Sequence, residues 1–140
     1  MSGGLHQATC VAIGGRGLLI EGAPGLGKSS LALALIERGA TLVGDDGVML
    51  EPRGGRLHAG PPPATLGKLE LRGVGLLEYP TASGVPLSLI VRLDPEAERF
   101  RDEPEWVERA GVRLPCVALW PGSPVLALRA EAALRIYGLA

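Results

Sequence analysis

Short apolar stretches alternate with glycine- and proline-rich breaks along the chain, a spacing that yields more strands than helices. "HQATCVAI" (His6–Ile13) reads as a strand, Gly14–Gly17 as a hairpin turn and Leu18–Glu21 as a second apolar strand. A glycine-rich loop, Gly22–Gly27, follows. A helix then starts near Lys28 or Ser29 and runs to about Arg38, with Gly39 where a left-handed cap residue is wanted. Its run "LALALI" is apolar on most sides, which predicts a largely buried helix.

Thr41–Gly44 is a short strand ending at Asp45-Asp46. Val48–Glu51 and Gly55–His58 flank Pro52-Arg53-Gly54 as a hairpin. "GPPPATLG" is excluded from regular structure, because proline fixes φ and carries no N–H. "KLELRGVGLLEY", Pro86–Leu93 and Val112–Leu119 bring further extended pieces, and Pro124–Tyr137 has helix-forming composition, with Pro124 acceptable in the first turn. Asp94–Arg109 is highly charged and holds Pro95 and Pro104. It reads as a mobile, solvated surface segment, with docking or subunit contact as its alternative. The terminal helix carries few charges and should be buried in the core or between subunits. The expectation is one α/β domain over residues 1–140 with a mixed β-sheet and flanking helices.

Composition narrows the function. Hydrophobic residues make up 46% of the 140 and the formal net charge is -1, an ordinary globular balance. There is no basic excess for nucleic acid, and 4% aromatics cannot furnish a base-stacking platform. No apolar run spans a bilayer, and "MSGGLHQATC" lacks the regions of a signal peptide, so the expected setting is cytoplasmic, without membrane or nucleic-acid partners. Cys10 and Cys116 read as small buried hydrophobes. Two histidines, His6 and His58, offer no zinc-ligand spacing. His58 reads as a surface residue, and Trp106 and Trp120 as packing or subunit-contact residues.

The candidate chemistry lies in Gly22-Ala23-Pro24-Gly25-Leu26-Gly27-Lys28-Ser29, which matches G-x-x-x-x-G-K-[ST]. Glycines let the main chain curl so that its N–H groups surround a polyphosphate, and the helix that follows, through Ser30, presents its positive N-terminus. Lys28 reaches the outer phosphates and Ser29 offers a hydroxyl to Mg2+. Pro24 removes one loop donor. The entering strand and the capped helix supply the context the pattern needs. At the end of the next strand, Asp45 and Asp46 can divide two tasks, one for the metal and one to take a proton from an attacking hydroxyl; the sequence leaves the roles interchangeable, and Asp46 is entered on the metal side. In "LELRGVG", Glu70 and Arg72 share one face of an extended segment while Leu69 and Leu71 share the other.

"GAPGLGKSS", "LVGDDGV" and "LELRGVGLLEY", in that order, resemble the catalytic domain of bacterial HPr kinase/phosphorylase, over roughly Leu5 to Tyr79. The resemblance implies a P-loop kinase core related to phosphoenolpyruvate carboxykinase, in a short form without the N-terminal domain, as in some proteobacteria. It implies ATP and Mg2+ as cofactors and phosphorylation of a serine on HPr, or a paralogous phosphocarrier of the sugar phosphotransferase system, with reversal by inorganic phosphate in many members. A homo-oligomer, commonly a hexamer, is implied too. By that likeness Lys28 binds phosphates, Ser29 and Glu70 serve the metal, the Asp45-Asp46 pair supplies acid and base, and His6 lies near the site. Arg72 positions phosphate or the aspartates, and Arg101 corresponds to an active-site arginine. Ser123 and Pro124 stand where relatives carry Arg-Asn after Pro-Gly, which favours the kinase direction. A P-loop small-molecule kinase and a non-catalytic ATP-binding regulator are the rival readings.

Overall fold

The computed structural model describes residues 3–98 and 102–140. Its elements are β1 (Gly4–His6), β2 (Thr9–Ile13), β3 (Arg16–Gly22), α1 (Lys28–Glu37), β4 (Thr41–Gly44), β5 (Val48–Arg53), β6 (Arg56–Gly60), β7 (Lys68–Leu71), β8 (Gly75–Glu78), β9 (Val85–Leu93), β10 (Glu105–Arg109), β11 (Val112–Leu119) and α2 (Leu126–Tyr137). The proline-rich stretch holds only a single 3-10 turn, Pro63–Thr65. Among the described residues one mixed sheet follows the path β1-β5-β6-β9-β3-β2-β4, β11 and then β10 branch from β9, and β7-β8 form a separate hairpin.

Strand β9 is the spine of this sheet. It runs parallel to β3 and β11 and antiparallel to β6. Both of its faces are covered, which explains its near-continuous apolar sequence. On one face Leu18, Ile20, Leu89 and Val91 pack with Leu31 and Leu35 of α1 and Leu134 of α2. On the other, Cys10, Leu19, Ile90 and Cys116 pack with Leu50 and Leu57 of the β5-β6 hairpin. Side chains therefore sort by the period of two, and burying each large aliphatic contributes about 1.5–3 kcal/mol. Leu87 and Leu89 break that period by facing opposite cores. The register shift between Gly17 and Leu18, where Leu87 and Leu89 are successive partners, makes Ser88 the extra residue of a bulge.

Helix α1 ends as expected. Gly39 takes φ 108° and donates to Ile36 O, while Ala40 N–H donates to Leu35 O, the paired closure of a Schellman cap. The helix is less buried than its apolar run predicts. Leu31, Ala32 and Leu35 are buried, whereas Ser30, Ala34 and Glu37 face out, because only one side meets the sheet. The terminal helix behaves alike: Ala130, Ala133 and Leu134 are buried, and Leu128 and Ile136 are exposed. Pro124 precedes it rather than lying in its first turn.

Three further expectations change. His6–Ile13 splits into β1 and β2, since β1 pairs with β5 and β2 with β3. The charged Asp94–Arg109 segment ends in a strand, because Glu105–Arg109 pairs with β11 across a turn at Ala110 (φ 49°) and Gly111 (φ 80°), the left-handed pair of a tight hairpin. Trp106, half-exposed, lies 5.3 Å from the Arg113 guanidinium. His58 is part-buried, not a surface residue, and its Nδ1 is enclosed. Cys10 and Cys116 are free and buried as expected, and burial pushes both thiols up, away from reactivity. Among the described residues no helix is long and apolar enough to cross a membrane.

Candidate active site

The site forms where β3, α1, β4 and β7 meet. Gly22 leaves the sheet at the end of β3, and the loop curls back to α1 through Gly25 (φ 84°) and Gly27 (φ 96°), conformations in which a Cβ is disfavoured. Gly27 is the residue before α1, so the free N–H groups of the first helical turn open onto the loop. Lys28 Nζ donates to the carbonyls of Gly22 (2.8 Å) and Ala23 (3.2 Å), which holds the cation over the loop.

The aspartates are not equivalent. Asp45 is buried and fully engaged: Ser29 Oγ (2.7 Å) and Thr9 Oγ1 (3.0 Å) donate to Oδ1, and Glu70 N–H (3.1 Å) donates to Oδ2. Asp46 is exposed at φ 58°, a region that Asp tolerates better than most residues, and its N–H reaches Thr9 Oγ1 at 3.5 Å. The turn that carries both needs glycine, since a Cβ on Gly44 would stand 2.3 Å from Gly47 O. It is therefore Asp45, not Asp46, that sits against the hydroxyl of Ser29. This revises the expectation that placed Asp46 with Ser29. Leu69 and Leu71 of β7 are buried while Glu70 and Arg72 face out, the alternation expected from sequence.

These groups enclose a cleft of about 480 Å³ lined by Gly22, Pro24, Gly25, Gly27, Lys28, Ser29, Ser30, Asp45, Asp46, Glu70 and Arg72, together with Gln7, Thr9 and Leu71. Ala23 and Leu26, both loop residues, do not line it, and Leu26 borders a second groove. His6 does not line it either; its Nε2 lies 2.8 Å from Glu21 Oε2. Arg101 lies outside the described residues.

Sequence reasoning missed three residues. Thr9 holds Asp45 and Asp46 together but bears no sequence signal. Glu21, the residue before the loop, receives Arg109 through two hydrogen bonds, Nη2 to Oε1 at 2.7 Å and Nε to Oε2 at 3.0 Å. The charge that ends the apolar run "LLIEG" is a signal that could have found Glu21, and Arg109 is visible only in three dimensions. Burial works to raise the Glu21 carboxyl, but hydrogen bonds from Arg109 and His6 outweigh it and hold the group below the usual carboxylate range.

The donor set is hard oxygen: Ser29 hydroxyl, Asp45 and Asp46 carboxylates and Glu70. No group of three or more His, Cys, Asp or Glu residues able to hold a metal occurs among the described residues. That fits Mg2+, which uses one or two carboxylates and completes its shell with phosphate and water, rather than a protein cage. Chemically, the arrangement offers an anion cradle, a fixed cation and one accessible carboxylate in a single cleft.

Comparison with known proteins agrees with this geometry. Residues 4–118 match the family model described as HPr Serine kinase C-terminal domain. HPr kinase/phosphorylase of Clostridium beijerinckii is 39% identical over 107 residues, covering 73% of this chain and 34% of that protein. HPr kinase/phosphorylase of Clostridium tetani is 42% identical over 78 residues, covering 56% of this chain and 26% of that protein. The chain thus spans about a third or less of the length of these relatives. The solved structure of the Hpr(Ser) kinase/phosphatase from Coxiella burnetii superposes with a TM-score of 0.81 at 27% identity, covering 94% of this chain and 93% of that one. A curled mixed sheet with two helices, a phosphate loop running into α1 and a family model that spans most of the sequence place this chain in the HPr serine kinase C-terminal domain family.

Proposed function

We propose that this chain is an ATP-dependent serine kinase acting on HPr or a paralogous phosphocarrier, with Mg2+ as metal. The observation that carries the reading is the division within the aspartate pair: Asp45 is buried on Ser29 of the phosphate loop, and exposed Asp46 faces the same cleft. The names of the relatives support the choice of HPr. Asp45, Ser29 and Glu70 would hold Mg2+, which when bound neutralises phosphate charge. The loop N–H groups and Lys28 bind the triphosphate and stabilise charge on the departing phosphates. Asp46 takes the proton of the substrate serine hydroxyl; its oxygen bonds to the γ-phosphorus as the bond from that phosphorus to the β-bridging oxygen breaks, leaving ADP. Arg72 orients phosphate at the rim. His6 acts at one remove, through Glu21 at the base of the loop.

The kinase direction is favoured over phosphorolysis. Ser123, which stands where relatives carry arginine, accepts a hydrogen bond from Val125 N–H and serves its own turn. A cytoplasmic homo-oligomer completes the proposal, supported by exposed Leu5, Val74, Leu76 and Ile136, which are at least 58% accessible.

The test is incubation of the purified chain with labelled ATP, magnesium chloride and purified HPr. Phosphoserine on HPr should form, and Lys28→Ala should reduce the rate by about 100-fold or more. Transfer that survives Lys28→Ala overturns the mechanism. Labelling of nucleosides or other metabolites instead of HPr would favour a small-molecule kinase.

A further inference from the structure

The geometry points to a nucleobase site in a second groove that opens beside the phosphate loop, and to a base contact that tolerates different bases. The inference rests on the nucleotide reading above and extends it. The groove has a volume of about 360 Å³ and lies between the outward face of α1 and the Pro121–Leu128 segment. That volume falls within the range of small-ligand sites.

Its position identifies the occupant. Gly27 and Ser30 line both this groove and the phosphate cleft, so the two cavities share a rim at the first turn of α1. A ligand whose phosphates lie on the loop must send its remaining end over some rim, and this one leads into an apolar slot. Ser30, Ala34 and Arg38, spaced by four, share one helix face and form one wall. The small Ala34 side chain leaves room for a flat ring. Leu26 and Leu126 add apolar surface. At the far end, Arg38 Nε donates to both carboxylate oxygens of Glu131 at 3.0 Å, joining α1 to α2 and limiting the groove's length. A polyanion with a flat, weakly polar end, a nucleoside triphosphate, has the chemistry for both cavities at once.

The same inventory predicts weak discrimination between bases. Telling one base edge from another needs directional donors and acceptors left unpaired by the protein. Here the Arg38 guanidinium is engaged by Glu131, and the Ser123 hydroxyl accepts from Val125 N–H at 3.2 Å. What the groove offers a base is mainly apolar contact, which is alike for adenine and guanine.

The experiment is calorimetric titration of the full chain, with magnesium chloride, against ATP, GTP and inorganic tripolyphosphate, which carries phosphates without a base. Ala34→Trp fills the groove from an exposed helix position, and Leu128→Glu, at a position 46% exposed, places a charge on the opposite wall. Ala34→Trp should weaken ATP about tenfold or more while tripolyphosphate stays within about twofold, and Leu128→Glu should move ATP in the same direction by about threefold. Unsubstituted chain should bind ATP and GTP within about threefold of each other. ATP binding that ignores both substitutions, or an equal loss for ATP and tripolyphosphate, overturns the base site. A preference of about 100-fold for one base overturns the tolerance. If the unsubstituted chain binds tripolyphosphate and ATP normally, the phosphate reading stands whatever the variants show; if it binds neither, that reading falls and the groove assignment with it.

Discussion

At the scale of single residues, the burial of one aspartate and exposure of its neighbour decide the chemistry. Asp45 accepts three hydrogen bonds in a buried setting, and its job is to hold β2, α1 and β7 around the loop. Asp45→Asn turns one acceptor oxygen into a donor facing donors, so the variant should lose about 1–3 kcal/mol of stability in urea unfolding as well as activity. Asp46 is exposed, and Asn tolerates its left-handed backbone, so Asp46→Asn should hold stability within about 0.5 kcal/mol. Its phosphotransfer rate should nonetheless fall about 10²–10⁴-fold, the usual loss when a general base is removed. An active Asp46→Asn beside an inactive but stable Asp45→Asn would reverse the two roles. The pair and the loop were legible as residue types at a spacing. Which aspartate does what was not, because Thr9 and the Glu70 N–H approach from segments far along the chain.

At the scale of elements, local signals read well and long-range ones poorly. Gly39 announces the end of α1 because the Schellman closure needs a left-handed residue within a few positions. The β10-β11 hairpin escaped because charge and proline in Asp94–Arg109 mask a short alternating run that becomes a strand only beside β11. The bulge in β9 was equally hidden, since a phase change at Ser88 leaves the stretch apolar throughout. That bulge carries a prediction. Ser88 is fully buried and its hydroxyl has no hydrogen-bond partner, so Ser88→Ala should be neutral or should stabilise by up to about 1 kcal/mol. A thermal midpoint lowered by several degrees would show that the hydroxyl is satisfied.

At the scale of the whole molecule, the curl of the sheet brings β1, the end of β3 and the end of β10 onto one carboxylate. Glu21, 14% exposed, joins His6 and Arg109 directly beneath the phosphate loop. The sign of its pH effect follows from its lowered pKa. Folding favours the ionised form, so the stabilisation is fully present above the ordinary glutamate value of about 4.3 and is lost as pH falls through the lower folded value. In urea unfolding, the stability gap between the unsubstituted chain and Glu21→Gln should be widest near neutrality and close on acidification below about pH 4. A gap that stays constant to pH 3 would mean that the pairing adds nothing. The sequence by itself determined the phosphate loop, the helix it feeds, the aspartate pair and the mixed α/β class, because each is written in neighbouring residues and obeys steric or periodic rules. Only the tertiary structure decided the order of strands, the burial of Asp45 against Asp46, the Glu21 junction and the groove beside α1. Those depend on which distant segments come into contact, and a linear pattern of apolar and polar positions does not specify the partner on the other side of a contact.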